Sequence, residues 1–83
     1  MKVLYFAWVR SRIGVAEEEV SPPEDVTNVH QLIGWLRTRG DGHRAAFADL
    51  KAIRVAVNQE YTDFDAPVRA GDEIAFFPPM TGG

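Results

Sequence analysis

The residues of this chain best placed to do chemistry stand at its C-terminal end, where Pro78 and Pro79 are followed by Met80, Thr81, Gly82 and Gly83. Two prolines stiffen the path out of an apolar run, and two glycines, lacking a Cβ, can thread a slot too narrow for other residues. Such a segment is suited to delivering a chain terminus into another protein's active site. The working group would then be the free carboxylate of Gly83. A carboxylate is a poor electrophile until it is joined to a good leaving group, so it needs activation before any acyl transfer. Gly-Gly alone is a weak motif, because flexible tails often contain glycine, and the Pro-Pro approach strengthens it.

The remaining candidates read more simply. Glu17, Glu18, Glu19, Glu24 and Asp25 contain enough carboxylates for an acid pair, but like charge beside Ser21-Pro22-Pro23 reads as a solvated sheet edge. His30 and His43 have no HxxxH or HExxH spacing and the chain has no cysteine, so no metal site is expected and both read as boundary histidines. The lack of cysteine also removes a thiolate nucleophile and any disulfide. Arg10 and Arg12 read as solvated arginines at a strand end, Gly40-Asp41-Gly42 is too isolated for a phosphate loop, and no GxSxG elbow exists. No side-chain catalyst and no bound cofactor are expected.

Composition sets the frame for these residues. Eighty-three residues, 46% hydrophobic and 25% charged, fit one soluble globular domain. A net charge of −3 argues against nucleic acid as a partner, since such surfaces carry a basic patch. The apolar run Val3 to Val9 is too short to span a bilayer and no cleavage site follows it, so the expected location is cytoplasmic with no membrane contact.

The elements that must position the terminus follow from periodicity. Lys2 to Arg10 predicts a central strand with Val3, Tyr5, Ala7 and Val9 on one face and Leu4, Phe6 and Trp8 on the other. Val15 to Val20 predicts a short edge strand. Thr27 is placed to cap a helix from about Asn28 to Arg39, whose apolar stripe is Val29, Leu32, Ile33 and Leu36, with Gly40 as its stop. A helical turn fits His43 to Leu50. Alternation over Ile53, Val55 and Val57 marks a strand that turns at Asn58-Gln59 into a short strand at Tyr61, and Glu73 to Phe77 makes the last strand. This inventory is α+β and fits a ubiquitin-like β-grasp, a mixed sheet with one main helix on one face. The expected organisation is a domain over residues 1–79 and a reactive tail over 80–83. Leu4, Phe6, Trp8, Ala75 and Phe77 would then line an uncovered face, which reads as a partner surface.

Three stretches carry a resemblance to a known family: VLYFAWVR from Val3, AVNQ from Ala56, and GDEIAFFPPMTGG from Gly71. They resemble the ubiquitin-like sulfur carriers that serve as small subunits of molybdopterin synthase. The resemblance implies that an ATP-dependent activating enzyme adenylates Gly83, that a sulfurtransferase supplies sulfur, and that the tail becomes a thiocarboxylate. It further implies a large catalytic subunit as partner, in a heterotetramer of two small and two large chains, where the sulfur passes to cyclic pyranopterin monophosphate. By position, Gly82 and Gly83 match the reactive terminus and Met80 and Thr81 the tail leading to it. Phe6, Phe77 and Tyr61 match the apolar partner surface. Trp8 departs from the smaller or polar residue of that pattern and is expected to enlarge the interface or pack locally. A sulfur carrier for thiazole synthesis, a ubiquitin-like modifier that forms isopeptide bonds, and an interaction module with an inert tail are the alternatives.

Overall fold

The computed structural model describes residues 1–79. Its first element, β1 (Lys2–Tyr5), is followed by α1 (Ala7–Ile13), β2 (Glu17–Glu19), α2 (Val29–Leu36), α3 (Asp41–Ala46), a 3-10 turn (Leu50–Ala52), β3 (Arg54–Val57), β4 (Glu60–Thr62) and β5 (Glu73–Phe77). The strands form one mixed sheet in the order β2-β1-β5-β3-β4, in which β1 and β5 run parallel at the centre and the other pairs are antiparallel. This is the β-grasp expected from the inventory.

The nine-residue strand predicted from Lys2 to Arg10 is not formed. The ladder with β5 ends at Tyr5, the Phe6 amide donates to the Phe76 carbonyl at 3.1 Å, and Ala7 turns the chain with a left-handed φ of 53°. Trp8, Val9 and Arg10 therefore belong to α1, where Val9 and Ile13, one turn apart, face the core. A run apolar on every side satisfies either period, and only the helix lets Val9 reach the interior once β1 has ended. Gly14, at φ 100°, closes α1 in the left-handed conformation that a side chain would strain.

The expected main helix, α2, packs on one face of the sheet, and α1 and the residues after α3 complete the core. Val29, Leu32, Ile33 and Leu36 of α2 are buried against Val3, Tyr5, Val55, Ile74 and Phe76 of the sheet. Phe47, just past α3, packs edge-on to Phe76 with ring centroids 5.0 Å apart. Asn28 caps α2, its Oδ1 accepting from the Gln31 amide at 2.8 Å, while Thr27 directs its amide and hydroxyl to the Gln31 side chain. The cap is therefore one residue later than predicted, and Gly40 precedes α3 instead of ending α2. α3 lies against α1 at Gly42, where an added Cβ would stand 2.5 Å from the Arg12 carbonyl oxygen.

Between β3 and β4, Asn58 and Gln59 both take positive φ, 51° and 69°, the geometry of a tight two-residue hairpin. The Asn58 side chain also ties this turn to the start of β5, accepting from the Glu73 amide at 3.0 Å and donating to Asp72 at 3.1 Å. No helix among the described residues is long and apolar enough to cross a membrane.

Candidate functional site

The face of the sheet away from α2 is set by pairing register. Because Val3, Tyr5, Ile74 and Phe76 point into the core, Lys2, Leu4, Glu73, Ala75 and Phe77 point the other way. Registration with β2, β3 and β4 places Glu17, Arg54, Ala56 and Tyr61 beside them. The open face is thus organised in rows. Glu19, Lys2 and Glu73 form one end; Glu17, Leu4, Ala75, Ala56 and Tyr61 cross the middle; Phe77 and Arg54 form the other end, which Phe6 adjoins at the end of β1.

The apolar part of this face is concentrated toward the end where β5 runs into Pro78 and Pro79. Tyr61 is 81% exposed and Phe6 49%, values that mark large apolar groups without an internal role. Tyr61 leans on Phe77 with ring centroids 5.5 Å apart, so the two form a continuous ridge. The expectation that Phe6, Tyr61 and Phe77 share an accessible surface agrees with this geometry.

Trp8 does not share that face. With β1 ending at Tyr5, its ring lies on α1, half-buried against the core, with the Arg12 guanidinium 4.6 Å above its centroid. Local packing is the outcome for this residue, and Arg12, exposed as expected, stacks its guanidinium on the ring. The tail residues Met80, Thr81, Gly82 and Gly83, on which the expectation of a reactive carboxylate falls, lie outside the described residues.

At the opposite end of the face Lys2 is neutralised. Its Nζ lies 3.1 Å from Glu17, whose hydrogen bond and charge raise the ammonium pKa, with Glu73 and Glu19 adding to the effect.

The expectation of a solvated acidic edge fails at Glu18. Its register opposite Val3 turns it to the core side, where one oxygen accepts from the Tyr5 hydroxyl and meets His43 Nε2, both at 2.6 Å. Arg39 approaches the other oxygen at 3.6 Å. Burial pushes the Glu18 carboxyl up, but the hydrogen bonds from His43 and Tyr5, with the charges of His43 and Arg39, outweigh it and hold the group below its usual range. Burial and the bond to Glu18 raise the Tyr5 phenol. The strand parity of Glu17-Glu18-Glu19 was the available signal, since one of three consecutive strand residues must face inward. Among the described residues no group of three or more His, Cys, Asp or Glu is placed to hold a metal ion.

Comparison with known proteins bears on what such a face and terminus serve. The ThiS family model matches residues 3–83. The chain belongs to the ThiS family. Within it, the chain is 42% identical to the molybdopterin synthase sulfur carrier subunit of Escherichia coli (strain K12), covering 100% of this chain and 99% of that one. It is 37% identical to the subunit of the same name from Haemophilus influenzae, again over 100% and 99% of the two chains. Among solved structures, SAMP1 from Haloferax volcanii superposes with a TM-score of 0.77 at 27% identity, covering 100% of this chain and 98% of that one. The matched span of the ThiS model includes all three stretches that carried the resemblance, and the tail with them.

Proposed function

We propose that this chain is the sulfur-carrier subunit of a molybdopterin synthase. The full-length likeness to the Escherichia coli sulfur carrier subunit is the observation that carries this reading. The fold supports it: β5 lies at the centre of the sheet and leads straight to Pro78 and Pro79 from the half-buried Phe77, beside the exposed Phe6 and Tyr61. A partner gripping that ridge would hold the end of β5, from which Pro78 and Pro79 lead to the terminal residues.

In this reading the Gly83 carboxylate attacks the α-phosphorus of ATP on an activating enzyme, releasing pyrophosphate and forming an acyl adenylate. The persulfide of a sulfurtransferase displaces AMP to form an acyl disulfide, and a thiol then reduces its S–S bond, leaving a thiocarboxylate and a mixed disulfide. The large catalytic subunit then binds the open face, takes in the tail and passes the sulfur to cyclic pyranopterin monophosphate. Gly83 returns to a carboxylate for recharging. The carrier supplies the acyl group and its presentation, and the catalytic side chains belong to its partners.

Intact mass spectrometry tests the central step. After incubation with ATP, the activating enzyme and a sulfur donor, the C-terminal peptide gains the mass difference of one oxygen exchanged for sulfur, located at Gly83. An unchanged peptide would exclude the carrier reading.

The structural likeness to SAMP1, a small archaeal modifier protein by name, favours one second reading: the activated Gly83 captured by a lysine amine on another protein. Covalent ladders on a blot of cell extract, lost when Gly83 is removed, distinguish it.

A further inference from the structure

The charges of the open face are sorted along the strands. At the end distant from Phe77 the cation Lys2 is surrounded by Glu17, Glu19 and Glu73. At the Phe77 end stands Arg54, opposite Phe77 in the β3–β5 ladder, and among the described residues no carboxylate lies within ion-pairing distance of it. Arg10, exposed and one turn of α1 beyond Phe6, is likewise without an ion-pair partner among the described residues.

Arg54 is also held in one pose. Its Nη1 donates to the Lys51 carbonyl at 3.1 Å and to the Ile53 carbonyl at 3.0 Å. A guanidinium has five N–H donors, and two of them sit on Nη1. Among the described residues nothing accepts from the Nε–H and Nη2–H edge, and that edge is the one that matches both oxygens of a carboxylate. A side chain pre-set in this way loses little conformational freedom on binding.

We propose that Arg54 is a receptor for a carboxylate of the protein that docks on the open face, and that it fixes the direction of docking. The inference rests on the reading that this face receives the catalytic subunit. An acidic group on the partner's border meets Arg54 beside the end of β5, while the Glu17, Glu19 and Glu73 end repels the same group, so the reversed orientation is disfavoured. Correct orientation is what places the tail in the partner's active site, and a charge pair at the Phe77 end adds a directional constraint to apolar contact, which is itself non-directional.

The test is association kinetics between the full chain and the molybdopterin synthase large subunit from the same source, at about 0.05 M and about 0.5 M salt. Arg54→Glu is expected to slow association about tenfold or more at low salt, with the difference shrinking at high salt. Arg54→Lys keeps most of the association rate but dissociates several-fold faster, because an ammonium cannot make the paired contact. Arg37→Glu, an equal charge change on the helical side, stays close to the parent chain. Melting curves confirm that each variant is folded. If Arg54→Glu and Arg54→Lys both match the parent, the proposal is overturned while the docking reading stands; if the parent itself does not bind, both fall. If the Arg54→Glu effect disappears when Gly82 and Gly83 are deleted, the carboxylate is the chain's own terminus, which also overturns the proposal.

Discussion

Glu18 joins three segments through one carboxylate: Tyr5 on β1, His43 on α3 and Arg39 after α2. Hydrogen bonds to a charged, partly buried group are each worth about 1.5 to 3 kcal/mol, more than a surface ion pair. Replacing Glu18 with Gln should therefore lower stability at neutral pH by about 1 to 3 kcal/mol in denaturant titration, while leaving the open face unchanged. The pH dependence follows from the direction of the shift. A carboxyl held below its unfolded value stabilises the fold fully above that value, about 4.3 for glutamate, and loses the contribution as pH falls through the folded pKa. The parent chain should thus show a steeper acid limb than Glu18→Gln. Parallel acid limbs would mean that ionisation of Glu18 adds no stability to the fold.

Two elements hang on backbone geometry that particular residues permit or oppose. α3 approaches the end of α1 only because Gly42 has no Cβ, and the atom an alanine would meet is a backbone carbonyl, which cannot rotate aside. Gly42→Ala should cost about 1 to 3 kcal/mol, read as a lower denaturation midpoint with an unchanged denaturant slope. The β3–β4 turn is the opposite case. Gln59 occupies a left-handed φ of 69° that glycine adopts freely, and Asn58 before it already has a side chain suited to the turn. Gln59→Gly should stabilise the protein by about 0.5 to 1 kcal/mol; a loss of stability would show that the Gln59 side chain contributes more than its backbone strain.

For the whole molecule, function and folding are located in different places. The core lies between the sheet and α2, closed by Phe47 and α1, whereas the ridge of Phe6, Tyr61 and Phe77 lies outside it. Deleting Gly82 and Gly83 should therefore leave the melting temperature unchanged and abolish sulfur transfer. Transfer that persists after the deletion would refute the tail mechanism. Phe77→Ala should weaken binding to the catalytic subunit by about 1 to 3 kcal/mol in titration calorimetry, because a half-buried aromatic at the centre of the ridge is the natural anchor. Equal affinity would place the interface elsewhere on the molecule.

Much of this was decided locally and is legible in the chain. The apolar spacing of α2, the alternation in β3 and β5, the Asn58-Gln59 turn and the Pro78-Pro79 break each follow from nearest-neighbour rules. Those rules also placed Phe6 and Phe77 outside the core, because strand parity fixes which side chains oppose Val3 and Ile74. What they did not decide is where the first strand stops. Lys2 to Arg10 is apolar enough for either period, and only the loss of pairing beyond Tyr5 sends Trp8 and Val9 into a helix. Nor did they join Glu18 to His43 or leave Arg54 without an acid among the described residues, since these depend on side chains distant in sequence that meet only once the sheet and helices have packed.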